Sequence, residues 1–93
     1  MSERPGVAIA TPQGELVAFR IDVEADSLEA LLETLAELPF EINPRIFHHL
    51  PGRSDTAVDF PGYDSWTAAI RKGLARNGFQ ASALRHRPML AVV

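Results

Sequence analysis

"ELVAFRIDVEADSLEALLETLAELP", Glu15 to Pro39, changes its hydrophobic period half-way along. Up to Glu24 the residues alternate, with Val17, Phe19, Ile21 and Val23 on one side and Ala18, Arg20, Asp22 and Glu24 on the other. A period of two with one polar face predicts a strand in a sheet covered on one side only. From Leu28 onward, Leu31, Leu32, Leu35 and Leu38 recur at spacings of three and four and form the stripe of an amphipathic helix. Asp26 or Ser27 is expected to accept from the first-turn N–H groups, with Glu29 closing a capping box on Asp26. Pro39 disfavours helical geometry at Leu38 and ends the helix there.

Toward the N-terminus, "GVAIATPQG" (6–14) reads as the first arm of a hairpin, with Val7 and Ile9 on one face and Pro12 and Gly14 in the turn. Toward the C-terminus, "INPRIFHHL" (42–50) and "DTAVDF" (55–60) are the arms of a second hairpin around "PGRS". Pro44 cannot donate to a ladder, so the first of these arms is predicted to lie at an edge. "YDSWTAAIRKGLARNGF" (63–79) predicts a second helix, started by Asp64 or Ser65. Its buried face carries Trp66, Ala69, Ile70, Gly73 and Leu74, and Asn77-Gly78 supplies the C-terminal cap. "QASALRHR" and "MLAVV" are short strands separated by Pro88, the last apolar enough to need a partner.

Strand, helix, strand, strand, helix, strand, from Leu16 to Val93, resembles the ferredoxin-like split βαβ arrangement. The expected fold is an α+β two-layer sandwich with an extra N-terminal strand, its antiparallel sheet covered on one face by two helices. Ligand-binding modules of the ACT type, RNA-binding RRM domains, metallochaperones and small enzymes share that topology, so the order of elements does not choose among them.

Composition narrows the choice. The chain of 93 residues is expected to form one domain over 1–93. Its formal charge of -3 provides no strong field for a phosphate backbone, which makes nucleic acid an unlikely partner. With no cysteine, disulfides, thiolate zinc sites and cysteine nucleophiles are excluded. The apolar runs are too short to span a membrane, and "MSERPGVAIA" lacks the apolar centre of a signal peptide, so a cytoplasmic location is expected.

Candidate chemistry falls in three places. In "FHHLPGRSD" (47–55) strand parity sends His48 to the face of Ile46, Val58 and Phe60, and His49 to the other face with Arg45, Phe47, Ala57 and Asp59. That parity keeps the two histidines from sharing one metal. A metal-dependent enzyme would need His49 with Asp59 or Asp55 and His86. This expectation assumes that Leu50 opposes Thr56. On the polar face, Arg45, Phe47 and His49 with Arg85 and Arg87 form a cationic platform with one aromatic, but "NPRIFHHL" lacks the aromatic and glycine pattern by which RRM sheets stack bases. "FPGYDSW" (60–66) places Gly62, Tyr63 and Asp64 at a strand-to-helix corner, where unpaired N–H groups suit an anion. Glu29, Glu33 and Glu37 make a solvated acidic stripe on the first helix.

No nucleophile elbow, phosphate loop or dinucleotide fingerprint is present. The expected function is therefore a non-enzymatic binding or regulatory module for a small anionic metabolite, with Gly62, Tyr63, Asp64, Arg45 and His49 as ligand residues and no cofactor or metal. A structural or protein-interaction subunit is the alternative. Homodimerisation through the sheet's open face or edges is expected of a sheet left half uncovered.

Overall fold

The computed structural model describes residues 6–48 and 55–92. In chain order the strands and helices are β1 (Gly6–Ala8), β2 (Ala10–Thr11), β3 (Gly14–Glu24), α1 (Leu28–Ala36), β4 (Arg45–His48), β5 (Asp55–Tyr63), α2 (Thr67–Arg76), β6 (Leu84–Pro88) and β7 (Leu90–Val92). The order across the main sheet is β6-β3-β5-β4, antiparallel throughout, with both helices on one face. This is the ferredoxin-like two-layer arrangement.

The strand period works as the sequence suggests. Val17, Phe19, Ile21 and Val23 of β3 are buried beneath the helices, as are Val58 and Phe60 of β5 and Leu84 of β6. From the other layer Leu31 and Leu35 of α1 and Ile70 and Leu74 of α2 complete the core. Each fully buried side chain of this size contributes about 1.5–3 kcal/mol. The helix α2 is thin where it faces α1: a Cβ at Gly73 would lie 4.0 Å from Thr34 Cγ2 and 3.4 Å from Cδ2 of Leu38, just past the end of α1.

Both helix starts differ from expectation. A 3₁₀ turn precedes each, Ala25–Ser27 and Asp64–Trp66, and in neither case does a side chain cap the N-terminus. The tighter winding supplies i→i+3 bonds that take up donors a capping side chain would otherwise have to satisfy. The helix α1 stops at Ala36, three residues before Pro39. At the end of α2, Gly78 has a φ of +87°, and Phe79 N–H donates to the Leu74 carbonyl at 2.9 Å, which closes the expected glycine cap.

The N-terminal arm is an extra strand that changes partner along its length. β2 forms the tight hairpin with the start of β3, whereas β1 pairs with β7. Leu16 is the handover, its N–H donating to Ile9 O at 2.7 Å and its carbonyl accepting from Met89 N–H at 3.1 Å. The interruption of the C-terminal strand therefore falls at Met89 and not at Pro88, which still pairs with Val17.

In the second hairpin the register is Arg45↔Asp59, Ile46↔Val58, Phe47↔Ala57 and His48↔Thr56. That is two residues from a Leu50–Thr56 pairing. A slip of two preserves the face of every side chain, so the parity argument survives while the cross-strand neighbours change: Asp59 faces Arg45.

Candidate functional site on the open sheet face

The face away from the helices is assembled by register. One row reads Arg85, Arg20, Asp59, Arg45 across β6, β3, β5 and β4. The row on one side holds Arg87, Ala18 and Pro61, and the row on the other holds Asp22, Ala57 and Phe47. Ala18, Ala57 and Pro61 are small, so they leave a floor between longer charged side chains.

Arg20 donates from Nε to Asp59 Oδ1 at 2.7 Å and from Nη2 to Oδ2 at 3.2 Å. This fork raises the Arg20 guanidinium above its ordinary value, by the hydrogen bond first and the Asp59 charge second. Slight desolvation opposes the shift, and Asp22 adds a smaller favourable contribution. The same guanidinium lies 5.9 Å from the centre of the Phe47 ring. Arg85 pairs with Asp22. Arg45 and Arg87 have no carboxylate partner among the described residues.

Two adjoining concavities follow from this layout. One, of about 430 Å³, is lined by Asn43, Arg45, Phe47, Pro61 and Met89, and the other, of about 260 Å³, by Arg20, Arg85 and Arg87. Ala18 and Asp59 line both, so the two lie side by side as the trough of the open face. The larger of the pair has the size of small-molecule sites, which run to about 300–1,000 Å³. A hollow of about 710 Å³ beneath the α1–β4 connection is lined by leucines, Phe40 and Ile42, and its one charged side chain is Glu41. It has no cationic side chain, and Asn43 is its one neutral polar residue.

The corner at Gly62, Tyr63 and Asp64 is packed by Trp66 and bonded to the β2–β3 turn. A Cβ on Gly62 would stand 2.5 Å from Trp66 Cε3 and 2.9 Å from Phe19 Cε2, so this glycine lets the indole lie on the strand. Phe40 stacks on Trp66 at 4.0 Å between ring centres, and Tyr63 meets it edge-on at 5.3 Å. Asp64 Oδ1 accepts from Glu15 N–H at 3.0 Å, and Ser65 Oγ donates to Gln13 O at 2.6 Å. These two side chains clamp the β2–β3 turn to the start of α2. Gly14, with φ of +129°, lies under Asp64, where a Cβ would approach Oδ1 to 2.5 Å.

Of the five expected ligand residues, Gly62, Tyr63 and Asp64 thus cluster at the corner, and Arg45 lies on the open face. His49 lies outside the described residues. Of the proposed metal set, Asp59 is on the open face, while His86 pairs with Phe19 on the opposite face and meets its ring edge-on at 5.7 Å. Among the described residues no three histidine or carboxylate side chains converge on a point that could hold a metal.

No protein-family model, curated protein or solved structure matches this chain. Sequence reasoning missed Asn43 and Met89 because it placed them inside the strands "INPRIFHHL" and "MLAVV", whereas β4 starts only at Arg45 and Met89 falls between β6 and β7. The one local signal of a floor is Ala18, a small residue two positions from Arg20 in an alternating strand.

Proposed function

We propose that this chain is a non-enzymatic binding or regulatory module, and that it takes a small anionic ligand with a flat or apolar part in the trough on the open sheet face. The observation that carries this reading is Arg45, a guanidinium without a carboxylate partner among the described residues, beside the exposed Phe47 ring and above the small side chains of Ala18 and Pro61. A guanidinium fork fits carboxylate or phosphate in a bidentate manner, and the ring and Met89 offer apolar surface to the rest of the ligand. Asn43 adds an amide that can donate or accept at the rim.

Asp59 tunes this site. It lies in register between Arg20 and Arg45 and is bonded by Arg20, so it neutralises one cation and leaves the other to a ligand. The corner at Gly62 supports the reading less, because Trp66 covers the glycine and the Asp64 carboxylate would repel an anion.

Titration of isotopically labelled protein with inorganic phosphate and a series of aromatic and aliphatic carboxylates tests the location. The reading expects amide resonances of Arg45, Phe47, Ala57 and Met89 to move together and saturate. Movement confined to Gly62, Tyr63 and Asp64 would place the ligand at the corner instead.

A further inference from the structure

The sheet protects its two outer edges unequally. On the β6 edge, Arg85, His86, Arg87 and Pro88 are all exposed, and Pro88 has no N–H to offer a neighbouring strand. Charge and proline are the ordinary devices that keep an edge from pairing with another chain. The opposite edge, β4, pairs with β5 alone, in unbroken one-to-one register without a bulge. It displays apolar side chains on both faces: Ile46 is 41% exposed on the side of the helices and Phe47 44% exposed on the open side.

We propose that β4 pairs antiparallel with the β4 of a second copy of this chain, about a two-fold axis normal to the sheet. Such an axis keeps all four helices on one side and requires facing residues to share parity. With Ile46 opposite the Ile46 of the second copy, each Arg45 faces the other copy's Phe47. The apolar pair is then covered on the helix side. Each exposed ring gains a guanidinium that has no carboxylate partner among the described residues, adding to the Arg20 contact it already makes.

Edge pairing draws on Arg45 and Phe47 of both copies and leaves open the part of each trough lined by Arg20, Arg85 and Arg87, so an anion held by Arg45 competes with the second copy. The isologous contact closes at two copies. A seam this short belongs with the smaller specific interfaces, so association is expected in the micromolar range or weaker.

Sedimentation equilibrium of the full chain from micromolar to millimolar concentration, with Ile46→Lys alongside, tests the proposal. The expected result is a reversible dimer in the parent and a dissociation constant raised at least about tenfold in Ile46→Lys, with an unchanged circular dichroism spectrum. Because the chain has no cysteine, a single Ile46→Cys substitution gives an independent readout: mild oxidation should yield a disulfide-linked dimer, and Leu90→Cys on β7 should not. A monomer at every concentration, an Ile46→Lys dimer of parental affinity, or cross-linking through Leu90→Cys in place of Ile46→Cys would overturn it.

Discussion

Asp59 faces Arg45 across one strand boundary and Arg20 across the other, yet both of its oxygens are taken by Arg20. One carboxylate between two guanidiniums is what gives the open face its unequal pair of cations. Replacing Asp59 with Asn should therefore have two effects. Stability falls by only about 0.5–1 kcal/mol, because the pair is substantially exposed. Affinity for anions rises, because a second guanidinium is released. Urea unfolding reads the first and calorimetric titration the second, and weaker anion binding in Asp59→Asn would contradict the assignment.

Gly62→Ala should be costly despite its single added methyl. The new Cβ meets the Trp66 ring and the Phe19 edge, both held by further contacts, and overpacking of this kind costs about 1–3 kcal/mol. For a domain of this size each kcal/mol lowers the thermal midpoint by about 4–8 °C. An unchanged midpoint would mean that the indole can move aside.

Asp64 and Gly14 should act as one unit. Asp64→Ala removes the acceptor for Glu15 N–H, and Gly14→Ala both strains a positive φ and pushes the carboxylate away. Measured by denaturant unfolding, the double variant should lose clearly less than the two single losses added together. Simple additivity would separate the two residues.

The single tryptophan reports on the α1–β4 connection. Phe40 stacks on Trp66 at 4.0 Å with an interplanar angle of 8°. Phe40→Ala should shift the native emission to the red by admitting water to the indole, and should lower stability by about 2–4 kcal/mol for a partly buried aromatic. Unaltered emission would show that the ring is shielded by Tyr63 and Gly62 alone.

How much of this was legible in the sequence depended on periodicity. Val17 to Val23 and Leu28 to Leu38 declared their faces because alternation and helical spacing are local, and together with the second helix they were enough for the fold. Phe40 packs against the core from a connection that has no period, so nothing marked it, and Ile42, read as the start of a strand, does so from the same connection ahead of β4. The pairing of β1 with β7 joins opposite ends of the described chain and has no local signature. The β4–β5 register was misread by two residues because loop length is not encoded by parity, and Gly62, read as part of an anion corner, gave no sign that Trp66 lies against it.

The measurement that tests the central reading most directly is the thermal midpoint of the parent and of Arg45→Gln against a common panel of phosphate and carboxylate compounds. At one hundred times its dissociation constant a ligand stabilises the native state by about 2.7 kcal/mol, which moves the midpoint by roughly 10–20 °C. The account predicts such a rise for at least one anion with an apolar part, and its loss in Arg45→Gln while the unliganded midpoint stays the same. A rise that survives in Arg45→Gln, or no rise with any anion of the panel, would contradict it.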